Sequence, residues 1–478
     1  MAQTNDEILT YLTQESKKAE PGSRQNSCSS RKSVPRSPYR QTSNKSQYHK
    51  PHYRIFAALS VLLLLFSTAF IIHHLNKPEI LVIPSTSPDT PIYRFASVAG
   101  DSAHCSQVGT RFLVDGGSAV DAAIAAQLCS SVIHMQSAGI GGGFFMVIWD
   151  AATSKAYTLN AREQAPQSFN FDPQLHNSSS LFYGPFSVAI PGEIAGYWVA
   201  HKNFGKLPWA KLFEPAIEMC ENGFKVSGAL EEAFRNAEIV FLRKNPQFME
   251  MYSNLKELLF NPTTGGLYKQ GDILYCKQLA DTFKKIAQGG ANEFYNGTLA
   301  KDIIADLNEH GVDITENDLT NYKADWQQPF KLAVKASEPQ ELTLYSMGAP
   351  GSGPLLGLAL KIAENFNFSK TDIDKPLTYH RMIEIQKFVY AHRVYLGDSK
   401  FFNQLSDAER QAVENLLENM KTTEFGGEIR SKINDSSTLE QYTDTKFPGL
   451  WSDFGTAQTS VLAPDGSAVS MTSTINLM

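Results

Sequence analysis

Between Ile55 and Ile72 the chain reads IFAALSVLLLLFSTAFII, eighteen residues without a charge. At about 1.5 Å per residue such a helix spans most of a hydrocarbon core about 30 Å thick. Arg54 bounds the run on one side and His73, His74 and Lys77 on the other. The segment before it, Met1 to Arg54, holds ten Lys or Arg against four Asp or Glu, a bias that places this flank in the cytoplasm and everything after it outside. The expectation is therefore an uncleaved anchor over residues 55–74, giving a single-pass type II protein of the plasma membrane with an extracellular domain. A cleaved signal peptide is the competing reading. It would need a 54-residue n-region, and no clear A-x-A site follows.

The anchor divides the rest. Residues 1–54 are rich in Ser, Gln, Asn and Pro and poor in aliphatic side chains, so they cannot bury enough apolar surface to offset chain entropy and read as a disordered basic tail. Ser33 to Pro38 (SVPRSP) reads either as a kinase target or as plain spacer. Residues 75–95, Pro- and Thr-rich, read as a stalk. The net charge of -6 gives no reason to expect nucleic-acid binding.

Beyond the anchor, Asn177, Asn296, Asn367 and Asn434 each open an N-x-Ser/Thr acceptor pattern, as a secretory route would allow. Cys105, Cys129, Cys220 and Cys276 lack the paired spacing of a zinc site, and no HExxH occurs, so no metal is expected. In an oxidising compartment a disulfide is expected, with Cys105–Cys129 as the favoured pair. Four cysteines still permit three connectivities, and partly free thiols stay open.

From Ala96 onward helical and strand-like periods alternate without an internal repeat, which predicts one large α/β domain. Ser118 to Val132 is Ala-rich, with Ser118 as a candidate cap, and should pack closely because its faces are small. Further helices are expected over Ala195 to Asn203, Trp209 to Asn222, Pro354 to Ala363 and Leu377 to Leu396. FFMVIW, after Gly143, reads as a buried strand. Asp465-Gly466 reads as a hairpin turn that brings Thr456 and Asn476 to the same end of adjacent strands. Gly139 to Gly143 stands between a helix and a strand, the wrong order for a dinucleotide fingerprint, and no P-loop pattern occurs, so no cofactor is expected. Gly348 to Pro354 reads as a tight turn or as a substrate-facing loop.

No GxSxG elbow frames a serine. The candidate nucleophile is Thr456. Cleavage of Gly455-Thr456 would give that threonine a free α-amine with a pKa near 8, able to take the proton of its own hydroxyl. Glycine before the bond leaves the carbonyl open to attack. A Gly-Thr pair alone is weak, but ordered motifs accompany it: DGGSAVDAA from Asp115, GIGGG from Gly139, NARE from Asn160, IPGE from Ile190, LPW from Leu207, YHRM from Tyr379, LGD from Leu396, and the segment from Ser452 to Asn476. Together these resemble the γ-glutamyltransferase (γ-glutamyltranspeptidase, glutathione hydrolase) family over about residues 95–478.

The resemblance implies an α/β fold, the four-layer α/β/β/α sandwich of the N-terminal nucleophile hydrolase class. It implies self-cleavage at Gly455-Thr456 into heavy and light chains, with Thr456 as nucleophile. Arg162 would bind the substrate α-carboxylate, a task suited to a planar guanidinium. Without the resemblance, Arg162 reads as a surface ion-pair residue. Thr474 and Asn476 would orient the nucleophile and hold the substrate's amino-acid end. Glutathione and other γ-glutamyl compounds are the implied substrates, with water, amino acids or dipeptides as acceptors. On this basis residues 96–455 are large-subunit-like and 456–478 begin a small-subunit-like region, incomplete at its C-terminus. Gln458 stands where the family often has histidine. Two alternatives remain: a truncated, non-catalytic, membrane-tethered paralogue acting as a binding protein, and an N-terminal nucleophile amidase acting on a β-lactam side chain.

Overall fold

The computed structural model describes residues 96–169, 184–239, 253–335, 341–398, 405–442 and 455–476. The expected tail, anchor and stalk (residues 1–54, 55–74 and 75–95) and Asn177 lie outside these. Among the described residues no helix is long and apolar enough to cross a membrane.

The chain opens with β1 (Ser97–Gly100), α1 (Ala103–Val114), α2 (Ala119–Ile133), the hairpin β2 (Gly143–Asp150) and β3 (Lys155–Ala161), and α3 (Glu193–Phe204). A largely helical stretch follows: α4 (Glu214–Asn222), β4 (Phe224–Lys225), α5 (Gly228–Ala237), α6 (Ser253–Leu259), β5 (Ile273–Leu274), α7 (Lys277–Gly289), α8 (Ala291–Asn296), α9 (Thr298–Glu309) and α10 (Glu316–Asn321). Then come β6 (Asp325–Gln327), the hairpin β7 (Phe330–Lys335) and β8 (Glu341–Ser346), α11 (Gly353–Glu364), α12 (Pro376–Ala391), α13 (Asp407–Asn419) and α14 (Thr423–Lys432). The final hairpin is β9 (Ala457–Leu462) and β10 (Ala468–Thr474).

Six strands form one sheet in the order β1-β9-β10-β2-β3-β6, with every neighbouring pair antiparallel. Strand alternation sets its two faces. Ala457, Thr459 and Val461 of β9, Val469, Met471 and Ser473 of β10, and Phe144, Met146 and Ile148 of β2 are buried, and these residues face the helical layer. Against them lies α2, in which every residue from Ala119 to Val132 is buried. Its small side chains let the sheet, α1, α3 and α4 all approach. On the opposite face Trp149 meets Tyr345 of β8, ring centroids 5.6 Å apart, and Leu462 is exposed. A second apolar core gathers Leu355, Leu358 and Ile362 of α11, Ile385, Phe388 and Val389 of α12, and Ile429 of α14.

The α/β class and the strand FFMVIW agree with the periodicity. Two expected helices need correcting. Trp209 to Phe213 is a tighter 3-10 turn that leads into α4, because Pro215 sits at a helix start where its missing N–H costs nothing. The expected Leu377 to Leu396 helix is α-helical only to Ala391, with a 3-10 turn over His392–Tyr395. Of Gly348 to Pro354, the first four residues form a turn closed by Gly351 N donating to Gly348 O (2.7 Å), and Gly353 and Pro354 already open α11.

Candidate active site

The site is built where four neighbouring strands end together. In the β9–β10 hairpin Ser473 stands opposite Ala457. Thr456, immediately before β9, therefore lies beside Thr474, the last residue of β10. Thr474 in turn faces Gly143, the first residue of β2. Ala161, the last of β3, faces Phe144, which puts Arg162 at this same end. The turn that aligns the hairpin is Asp465-Gly466, with Gly466 at φ 85° and donating to Ala463 O at 3.0 Å.

Close backbone contacts fix these ends. Gly142 O accepts from Gly192 N (2.8 Å) and Glu193 N (3.1 Å), seating the start of α3 on the glycine turn. A Cβ on Gly142 would lie 2.1 Å from Thr474 O, and one on Gly143 2.4 Å from Ala161 O. The GIGGG run thus holds three chain segments closer than any side chain permits. Its role is the packing of backbones around the ends of β3 and β10.

Arg162 lies a third exposed beside Glu163, with 2.8 Å between Nη2 and Oε1. Its Nη2 also donates to Asn476 Oδ1, 2.5 Å away across 314 residues of sequence. Asn476 Nδ2 donates to the same Glu163 oxygen at 2.6 Å, closing a ring of three side chains. Asn476 adopts φ 70°, a left-handed conformation that Asn tolerates, and its N–H donates to Thr474 Oγ1 at 3.0 Å. The Arg162 backbone is held from both sides: its N–H donates to Asn160 Oδ1 (3.0 Å) and its carbonyl accepts from Tyr322 Oη (2.7 Å). The other oxygen of Glu163, Oε2, is buried without a hydrogen-bond partner. A guanidinium has five N–H donors, so one held at a single edge retains others for an incoming carboxylate.

Thr456 and Gly455 are exposed. Behind them stands Ser137, buried, whose Oγ would lie 2.4 Å from a Cβ on Gly455 and whose carbonyl accepts from Ile475 N at 3.2 Å. Ser137 thereby touches both the segment before Thr456 and the segment before Asn476. The following strand is anchored on three sides: Gln458 N donates to Asp101 Oδ2 (3.0 Å), Thr459 Oγ1 to Gln127 Oε1 (2.8 Å), and Gln458 Nε2 to Ser470 Oγ (3.0 Å).

The sequence family of gamma-glutamyltranspeptidases matches residues 105–478 of this chain. The chain belongs to the γ-glutamyltranspeptidase family. It is 38% identical over 394 residues to "Scoloptoxin SSD14" of Scolopendra dehaani, covering 80% of this chain and 64% of that protein. It is 33% identical to "Glutathione hydrolase 3" of Arabidopsis thaliana, covering 79% of this chain and 56% of the other. Against human "Glutathione hydrolase 5 proenzyme" the figures are 33%, 80% and 63%. The chain thus spans less than two thirds of the length of these relatives. Among solved structures, Helicobacter pylori gamma-glutamyltranspeptidase superposes with a TM-score of 0.62 at 28% identity, over 72% of this chain and 93% of that one. The cephalosporin acylase of Bacillus halodurans has a TM-score of 0.64 at 24% identity, over 82% and 69% of the two chains, which is a likeness of fold.

Within this γ-glutamyltranspeptidase chain, Cys105 and Cys129 are joined by a disulfide that pins α1 to α2. Asn296, Asn367 and Asn434 are exposed. Among the described residues no cluster of His, Cys, Asp and Glu side chains is arranged to hold a metal ion.

Two carboxylates escaped sequence reasoning although their motifs were visible. Glu193, of IPGE, is wholly buried at the start of α3. Both its oxygens stand 2.9 Å from Ser473 Oγ, and Tyr197 Oη also bonds to it. Burial pushes its carboxyl up to about 7, against the pull of the Tyr197 and Ser473 hydrogen bonds; Glu163 adds to the rise and Arg162 opposes it. Asp121, of DGGSAVDAA, is also fully buried. Its Oδ2 accepts from Ser118 N (2.9 Å), Lys206 N (2.8 Å) and Leu207 N (3.1 Å), so one carboxylate caps α2 and ties down the LPW loop. A lone acidic residue amid small ones is a signal of that kind, since buried charge demands several donors.

Proposed function

We propose that this chain provides the large-subunit region and the first strands of the small-subunit region of a γ-glutamyltransferase, or glutathione hydrolase. The observation that carries the reading is the bond from Arg162 to Asn476 at the sheet end where Thr456 begins its strand. A carboxylate-binding guanidinium, an amide and a candidate nucleophile share one edge, the arrangement needed to hold the α-carboxylate of a γ-glutamyl compound and present its γ-carbonyl.

In this reading Thr456 Oγ1 attacks the Gly455 carbonyl and passes its proton to the departing Thr456 nitrogen, so the amide becomes an ester and the α-amine is freed. Water then hydrolyses that ester, restoring the Thr456 hydroxyl and leaving a carboxylate on Gly455. That amine then takes the hydroxyl proton as Oγ1 attacks the γ-glutamyl amide, and the proton passes to the departing amine. Water, an amino acid or a dipeptide releases the γ-glutamyl group from the ester. The completed fold would be the four-layer α/β/β/α sandwich, anchored by residues 55–74 in the plasma membrane with Asn177, Asn296, Asn367 and Asn434 open to glycosylation outside. The apolar run and its basic N-terminal flank support this placement.

The test is the N-terminal sequence of fragments from the purified chain and from the protein completed at its C-terminus. A fragment beginning at Thr456, absent in Thr456→Ala, and hydrolysis of γ-glutamyl-p-nitroanilide that depends on Arg162 support the reading. Normal processing of Thr456→Ala would sink it. An uncut wild-type protein would leave the tethered binding protein as the better account. Hydrolysis of a cephalosporin amide that is indifferent to Arg162 would favour the acylase.

A further inference from the structure

We infer that Cys220 and Cys276 form a second, reversible disulfide, closed by exchange with a low-molecular-weight disulfide. This proposal does not depend on the reading of the active site.

Cys220 lies in the last turn of α4 and is fully buried, while Cys276 caps the start of α7 and is partly exposed. The short antiparallel pair β4 and β5, with Phe224 opposite Leu274 and Lys225 opposite Ile273, carries the two segments side by side toward them. Cys276 N then donates to Cys220 O at 3.0 Å. Both thiols are free, and they share a hydrogen bond. This main-chain bond brings the two backbones to the approach that a disulfide demands, whereas cysteines whose Cα atoms stand more than about 7 Å apart need backbone movement first.

The two thiols are unequal in a way that orders the exchange. The hydrogen bond between them holds the Cys276 thiol below its ordinary range and pushes the Cys220 thiol up, an effect that burial of Cys220 reinforces. Cys276 is also the one that solvent reaches. Its thiolate attacks one sulfur of the small disulfide and forms a mixed disulfide, expelling one thiolate, which is protonated. Cys220 then releases its proton and attacks Cys276 Sγ, expelling the second thiol. Two protein thiols are oxidised and one disulfide is reduced to two thiols.

A wrong pairing is also within reach. Met219, beside Cys220 in sequence, has its Sδ 3.7 Å from Cys129 Sγ, so the Cys105–Cys129 bridge is a neighbour. An experiment must therefore identify partners as well as count thiols.

The purified full chain is equilibrated in mixtures of glutathione and glutathione disulfide of rising oxidised fraction, quenched with an alkylating agent under denaturing conditions, and mapped without reduction. The expected result is that Cys220 and Cys276 lose their labels together, that a peptide linking them appears, and that the thermal midpoint rises by several degrees while Cys105–Cys129 stays unchanged. Cys220→Ser should leave Cys276 trapped as a glutathione adduct and abolish the rise. Labelling of both cysteines in fully oxidised buffer overturns the inference, as does a link from either cysteine to Cys129 or to Cys28, the cysteine of the basic N-terminal tail, or glutathione held on wild-type Cys276. Should the variant not fold, the wild-type map alone decides.

Discussion

Thr456 carries the proposed chemistry, and Arg162 and Glu193 decide what surrounds it. In a complete protein, Arg162→Lys keeps the charge but loses the planar fork. KM for a γ-glutamyl substrate should then rise at least tenfold, a split that steady-state kinetics reads directly. Glu193 gives a prediction in pH. Its carboxyl is raised from 4.5 to about 7 in the folded chain, so the folded state holds the proton more tightly than the unfolded one. The stability tied to that proton is complete below about pH 4.5 and is lost as pH rises through about 7, a fall on the order of 3 kcal/mol. Glu193→Gln should flatten denaturant-unfolding curves across that window, while an unchanged slope would remove Glu193 as the cause. The sequence motifs singled out Arg162 and Thr456 because each side chain has a chemistry of its own, and the strand register places both at one end of the sheet. Glu193 was invisible as a role because nothing in IPGE says that the side chain turns inward to Ser473, 280 residues away.

Among the elements, the glycine turn before β2 and the final hairpin carry the most weight. Gly142→Ala forces a Cβ to within 2.1 Å of Thr474 O, a backbone atom that cannot step aside. Overpacking of this kind costs about 1–3 kcal/mol, and thermal denaturation should register it. Gly141→Ala is the control, because a Cβ there meets nothing within 4 Å. Gly455→Ala is different, since the obstacle is the Ser137 hydroxyl at 2.4 Å, a side chain that can be removed. Gly455→Ala should slow fragment release while Ser137→Gly in the same chain partly restores it, as timed mass spectrometry would record. Helix periods and the Asp465-Gly466 turn were readable because they are local. The sheet order was not: β1 and β9 pair across more than 350 residues, and no local pattern announces such a partner. The proline at the start of α4 was present in the sequence, but its effect on the expected Trp209 to Asn222 helix depended on where the chain had to turn.

For the molecule as a whole, the strand order carries a further consequence. The hairpin of β9 and β10 sits inside the sheet, with β1 on one flank and β2 on the other. Cutting the chain just ahead of β9 removes one covalent bond and none of the ladder on either side. The severed piece would remain knitted into its host like a central plank of a floor. Size measured under native conditions should therefore be unchanged by cleavage, and two polypeptides should separate only when the sheet is melted. A cut chain that sheds its fragment in native buffer would contradict that strand order.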